Sequence, residues 1–423
     1  MDMKAFMRTK KITAIFLSAA VALSLAGCGG KSVDVEHRKV DWKPVATLRL
    51  ALRAGTYADV IEECLEKFEE ETHIYCEVYK LSEEDLHKGV ESDVANTEGR
   101  YDLCMVDGSW MAQYTAENVL LNLSDYGYEL DDDIIEATKA VCYYNGDVYL
   151  APYYGNVTIL LYNKRLAEAA GYKNGEIDSL DDIYKICSYA KEHRNIGFVY
   201  RGDTPNNIVV DFLPFLLSYG GWVVDDNNRP TVDTPEFKAA LEYYLKLIDT
   251  GKADTKDNLI LAIVNQAAAM GVGWPGWYTP ERNGQADYAA ITGKVSADSV
   301  AYNANVYGVW TIGVTNNSTH KEEAVKLLTY LMDKDVQKET VKSGGVPCRY
   351  SSLKDPKILE KFPQYAPVCK ALEGGVYRPI MKEWPEVYTI LGEKMHQIIN
   401  GEVGVNEGLK EAQKALEEAL SGN

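Results

Sequence analysis

The 423 residues suit two or three domains of ordinary size, long enough to need no disulfide or metal staple. A composition of 46% hydrophobic and 25% charged residues is that of a folded globular chain and excludes a disordered one. With 44 Lys and Arg against 63 Asp and Glu the formal charge is −19, which repels a phosphate backbone and excludes nucleic acid as an expected partner. The aromatic balance stands out: 29 Tyr and 7 Trp against 8 Phe. Tyr and Trp join a flat apolar face to a polar edge, whereas a core needing only filler is served by Phe.

Residues 1–27 read as a targeting segment. Lys4, Arg8, Lys10 and Lys11 precede an apolar run, Ile12 to Leu25, which is shorter than the ~20 residues that span a bilayer. Leu25-Ala26-Gly27-Cys28 resembles the bacterial lipobox, in which the cysteine is lipidated and becomes the mature N-terminus. Residues 28–45 are polar and unpatterned, as a tether would be. Removal of residues 1–27 takes away four positive charges and one negative, leaving −22. Seven cysteines follow Cys28; an odd number leaves at least one thiol free, and no CxxC pair or Cys/His cluster calls for zinc or redox chemistry.

Ala46 to Leu52 alternates as a strand, Tyr57 to Glu71 has helical spacing, His73 to Leu81 is a second strand and Ser82 to Gly99 a second helix. Tyr101 to Val106 is a short apolar run that reads as a third strand. This alternation predicts an α/β layer with a mainly parallel sheet. Asn145-Gly146 marks a hairpin within Val141 to Ala151. Ser179 caps a helix that runs to Arg194, Ile208 to Tyr219 is a buried helix, and Thr234-Pro235 opens another that ends before Gly251. Val306 to Val314 is a strand, Lys321 to Lys342 a long amphipathic helix, and Pro385 to Asn400 and Asn406 to Leu420 close the chain as helices.

Enzyme motifs are missing: no P-loop, HExxH or GxSxG is found. Gly271-Val272-Gly273-Trp274-Pro275-Gly276 matches GxGxxG formally, but its Trp and Pro residues predict a loop instead of the opening helix that a dinucleotide needs. Aromatic residues do occur in loops and turns, where a core has little use for them: Trp110, Tyr153, Tyr154, Trp222, Trp274, Trp277 and Trp384. In open α/β sheets such loops gather beyond the carboxyl ends of strands, where ligands bind. A sugar ring offers an apolar C–H face to these aromatics and hydroxyls to Asp107, Ser109, Asn156, Asp203 and Arg378. Arg53 and Tyr57, at the junction of the first strand and first helix, complete the candidate site.

The ordered set of segments resembles the family 1 extracellular solute-binding proteins of ABC importers, the maltose-binding-like group. The most specific piece is Asn145 to Tyr154 followed by Tyr162-Asn163-Lys164, with Tyr101 to Trp110, Ala267 to Trp274, Gly345-Val346-Pro347, Arg378-Pro379 and Trp384-Pro385 in the family's order. The resemblance implies a two-lobed α/β periplasmic-binding-protein-like fold with a hinge and a ligand cleft between the lobes. The first lobe would be 46–151 plus 304–350 and the second 152–303 plus 351–423, with crossings near 152, 303 and 350. It also implies a monomer without cofactor or metal that is not an enzyme. Held to the cell membrane through Cys28, it would deliver a carbohydrate, expected as an oligosaccharide, to ABC permease subunits. A polyamine or peptide ligand, a surface glycan-degrading enzyme and a glycan adhesin are the alternatives.

Overall fold

The computed structural model describes residues 40–421 except 174–175 and 281–283. The targeting segment, Cys28 and most of the expected tether lie outside the described residues. β1 (Ala46–Arg53) carries Leu48, Leu50 and Leu52 fully buried. The helix Thr56–Thr72 returns with Val60, Ile61, Leu65 and Phe68 against the sheet, a helical repeat on one face. β2 (Ile74–Leu81) pairs parallel to β1 along its whole length, from Ala46↔Ile74 to Arg53↔Leu81. Ser82 caps the helix Glu83–Asp93, accepting from the Asp85 amide at 3.1 Å, and β3 (Leu103–Asp107) runs parallel along the other side of β1. That helix ends at Asp93, short of the expected Gly99, because the Asp93 carboxylate accepts from the backbone amides of Arg100 at 2.7 Å and Tyr101 at 3.2 Å.

β4 (Tyr143–Tyr144) and β5 (Asp147–Val148) form the expected hairpin, with Asn145 and Gly146 both at positive φ, as its tight turn requires. β6 (Ala151–Tyr154) belongs to the first sheet and β7 (Ile159–Asn163) to the second, so the chain passes from one sheet to the other over residues 155–158. β8 (Ile196–Tyr200), β9 (Lys252–Ala253), β10 (Ala268–Gly273) and β11 (Ala286–Ala289) complete the second sheet. β12 (Asn305–Tyr307) and β13 (Trp310–Val314) replace the single strand expected over 306–314. The break falls at Gly308, because β13 enters the first sheet while β12 pairs with β14 (Gly375–Tyr377). The expected long helix is likewise two, Lys321–Leu331 and Lys334–Thr340, since Asp333 starts a new one by accepting from the amides of Asp335 and Val336.

The sheet orders are β2-β1-β3-β13-β6 and β11-β7-β10-β8-β9. Both are mixed: β1 to β3 are parallel, whereas β13 runs antiparallel to β3 and β6, and β7 antiparallel to β10 and β11. β10 is followed by a loop and one short turn over Pro275–Trp277, not the helix of a dinucleotide fold. Between the lobes the crossings bond to one another. Thr158 donates its amide to Val306 O at 2.9 Å, the Val306 amide returns to Thr158 Oγ1 at 2.7 Å, and β12 lies parallel to β14.

One buried cluster surrounds β1, β3, β6 and β13 and includes Leu353, Val368 and Leu372. The other surrounds Leu160, Phe198, Phe212 and Tyr244 and includes Trp384, Leu391, Met395 and Leu416. The apolar faces of the C-terminal region therefore pass from the first cluster to the second between Leu372 and Met381. All seven cysteines among the described residues are unpaired, and all but the partly buried Cys64 are buried.

Asp102, fully buried at the end of β3 opposite Asp107, accepts from the Arg49 amide at 2.8 Å, Arg49 Nε at 3.2 Å and Ser318 Oγ at 2.7 Å. It thereby fastens β1 to the turn after β13. Asp102→Ala is expected to lower the unfolding free energy in urea by about 1–3 kcal/mol, the cost of leaving buried donors unpaired; an unchanged midpoint would show that these bonds carry no net stability.

Candidate functional site

The carboxyl ends of β1, β3, β8 and β10 open onto a cavity of about 440 Å³ whose wall is shared by both lobes and by the crossings. On the first-lobe side Tyr57, in the first turn of its helix, packs edge-on against Tyr154 at 4.8 Å and tilted against Trp310 at 5.7 Å. Asn156 Nδ2 donates to the Tyr57 hydroxyl at 3.3 Å, and the Arg53 guanidinium lies 6.0 Å from the Tyr57 ring centroid. Burial pushes the Tyr57 phenol up to about 12, so the group stays a neutral donor and acceptor through the physiological range. Glu83 stands 4.0 Å from Arg53 Nε with about half its side chain exposed; desolvation, then the charge of Asp107, raises its carboxyl.

Asp107 and Arg378, expected as separate ligands for hydroxyls, bond each other: Arg378 Nη2 lies 2.7 Å from both carboxylate oxygens. Ser109 contributes its amide at 2.9 Å and hydroxyl at 2.8 Å to the same carboxylate. Since Asp107 ends β3 and Arg378 follows β14, the pair rivets the third crossing to the first sheet at the cavity wall.

On the second-lobe side Arg201 follows β8. Its backbone amide donates to Asp211 Oδ2 at 2.9 Å, its Nε to Oδ1 at 3.1 Å, and its Nη1 to Asn207 Oδ1 at 2.8 Å. Its guanidinium is 5.0 Å from the centroid of Trp277, and Lys256 Nζ is 5.7 Å from the same ring, both within reach of a cation–π attraction. Trp274 follows β10 and rests on Gly308, where an added Cβ would lie 2.9 Å from Trp274 Cη2. Tyr154 Oη donates to Gly344 O at 2.8 Å, beneath Gly276. The buried oxygens Asn156 Oδ1 and Asn206 Oδ1 have no hydrogen-bond partner among the described residues. Such buried acceptors call for a donor from outside the chain.

Eight sequence-predicted residues thus line the cavity: Arg53, Tyr57, Asp107, Tyr154, Asn156, Trp274, Trp277 and Arg378. Six do not. Ser109 stands behind Asp107. Trp110 is buried, stacked on His87 at 4.4 Å and edge-on to Trp310 at 5.5 Å, and so backs a cavity residue without lining it. Tyr153 is buried on the opposite face of β6 from Tyr154, as alternation along a strand dictates. Asp203 is exposed and accepts from Asn207 Nδ2 at 2.8 Å. Trp222 packs half-buried on the second core, and Trp384 is buried in it, edge-on to Tyr388 at 6.0 Å. The sequence reading missed Glu83, Arg201, Asn206, Asn207, Lys256 and Trp310. Among the described residues no group of three or more His, Cys, Asp or Glu side chains could hold a metal ion.

Gly308→Ala is expected to push Trp274 off its seat, lowering the unfolding free energy by about 1–3 kcal/mol, the usual cost of overpacking, and changing the tryptophan near-ultraviolet circular dichroism. If both stay as in the parent protein, Trp274 does not rest on the crossing.

The fold is that of known two-lobed binding proteins. It superposes on the maltose-bound MalE3 of T. maritima with a TM-score of 0.77, over 88% of this chain and 99% of that one, at 22% identity. In sequence it is 21% identical over 374 residues to the probable amino-acid ABC transporter periplasmic-binding protein y4oP of Sinorhizobium fredii, covering 83% of this chain and 84% of that protein. It is 24% identical over 287 residues to the diacetylchitobiose binding protein DasA of Streptomyces coelicolor, covering 64% of this chain and 65% of that one. No helix among the described residues is long and apolar enough to cross a membrane. Residues 50–338, well over half of the sequence, match the profile of the bacterial extracellular solute-binding proteins, and the chain belongs to that family.

Proposed function

We propose that this protein captures a short carbohydrate between its lobes and presents it to an ABC permease, as a lipid-anchored, monomeric binding protein without catalytic activity. Solute and permease are the partners that the family brings with it; the sugar, the anchor and the monomer are this proposal. One observation carries the sugar: Trp274, Trp277 and Tyr57 line the same 440 Å³ cavity as the unpartnered acceptors Asn156 Oδ1 and Asn206 Oδ1. Aromatic faces suit the C–H faces of a pyranose, and unpaired acceptors suit its hydroxyls. A volume in the lower part of the ~300–1,000 Å³ range of small-molecule pockets suits one or two rings. Maltose and diacetylchitobiose appear in the names of relatives that share this fold or sequence family. The lobes that close are proposed as 46–154 with 309–373, and 159–303 with 379–421, moving about the bonded crossings as in hinge closure.

The name of the Sinorhizobium fredii relative, together with the charged groups in the cavity, keeps an amino acid as a second reading. A thermal-shift panel of mono- and disaccharides, amino acids, peptides and polyamines separates the two. A sugar is expected to raise the melting temperature and to compact the protein in small-angle scattering. Trp274→Ala is expected to weaken that sugar at least tenfold, about 1.4 kcal/mol. Stabilisation by amino acids alone would overturn the sugar, and undiminished affinity would remove Trp274 from the site. For the anchor, whose support is Leu25-Ala26-Gly27-Cys28, Cys28→Ala is expected to move the protein from the membrane fraction to the medium; retention on membranes would overturn lipidation at Cys28.

A further inference from the structure

The cavity is more cationic than its surroundings. The whole chain carries −19, yet Arg53, Arg201, Lys256 and Arg378 line the cavity against only Glu83 and Asp107 among the described residues. Two of these cations are matched: Arg378 by Asp107, and Arg201 by Asp211, which stands behind the wall. Four positive charges against those three carboxylates leave one positive charge.

The surplus sits on Arg53 and Lys256. Arg53 Nε is buried and without a hydrogen-bond partner, its nearest carboxylate oxygen being Glu83 Oε2 at 4.0 Å, beyond bonding range. Lys256 forms no ion pair among the described residues and lies 5.7 Å from the face of Trp277. The two come from opposite lobes, Arg53 from the end of β1 and Lys256 from the first turn of the helix Lys256–Val264. An anion bound by both is therefore held across the cleft, and its charge-assisted bonds are complete only when both lobes contribute.

Resting on the carbohydrate reading above, we infer that the ligand is an acidic sugar, a hydroxylated ring bearing one carboxylate that Arg53 and Lys256 hold between the lobes. The unpartnered oxygens of Asn156 and Asn206 require donors, which hydroxyls supply and a bare anion does not. The single surplus charge matches a monoanion. A phosphate dianion would bring two charges to a wall that already holds Glu83 and Asp107.

The test is calorimetric titration of the full chain with galacturonate and digalacturonate, with galactose and galactobiose, and with galactose phosphate. The acids are expected to bind at least tenfold tighter than their neutral counterparts, with the ratio falling as salt rises. Arg53→Gln and Lys256→Gln are each expected to bring that ratio towards one, while Lys256→Arg keeps most of it; ligand-free melting temperatures establish that each variant is folded. Neutral sugars bound as tightly as the acids would overturn the acidic ligand and leave the carbohydrate reading standing. Preference for the phosphate would overturn the carboxylate. A ratio unchanged in both Gln variants would overturn the role of Arg53 and Lys256, and binding of no sugar at all would overturn both readings.

Discussion

The bonding of the three crossings to one another is the constraint on which the rest of the molecule depends. Neither sheet is complete in itself, and the chain passes between them at 155–158, at Gly308 and at β14. Left as separate strands in water these passages would be loose tethers. Paired through Thr158, Val306 and the β12–β14 register, they become one narrow strap. The cavity is built on this strap: Tyr154, Asn156, Gly308 and Arg378 all belong to it or adjoin it. The Asp107–Arg378 pair then fixes the strap to the first sheet. A buried pair of this kind adds little net stability over an apolar one, but it fixes geometry, because separating the two charges leaves one of them unpaired in a desolvated place.

Much of the fold was legible because its signals are local. The strand at Ala46, the Ser179 cap, the Thr234-Pro235 helix start and the Asn145-Gly146 turn each depend on a few adjacent residues, and each formed as read. The failures involve partners distant in sequence. Nothing near residue 308 says that β12 and β13 join different sheets; that follows from what β14 and β3 offer them. The break before Asp333 was available, since an Asp ahead of a polar turn is a cap signal, but an amphipathic repeat that continues through it hid the boundary.

The site was legible to the same degree and for the same reason. Searching loops for aromatic rings found Trp274 and Trp277, yet the rule does not distinguish a ring that lines a cavity from one that supports it. Trp110 and Trp384 are supports, and Trp310, hidden within a strand pattern, is the liner that Trp110 backs. Asp203 came from the right loop, but the loop turns its neighbour Arg201 inward and leaves Asp203 to solvent. The strand-end rule applied to charged as well as aromatic residues would have found Arg201, because it immediately follows β8. Lys256 is harder, being set by how its short helix packs on β10.

The place of β13 has a consequence for how the protein comes into being. It lies between β3 and β6, pairing Ile312 with Met105 on one side and Ala151 on the other. As the chain emerges N-terminus first, β3 and β6 both appear long before the strand that separates them, with the whole second sheet made in between. The first lobe must therefore wait, holding a gap one strand wide with unpaired backbone on both rims. Such rims are what chains use to aggregate or to pair wrongly, and closing them over so long a sequence separation is slow. A chain assembled in this order gains most from being kept unfolded until it is whole.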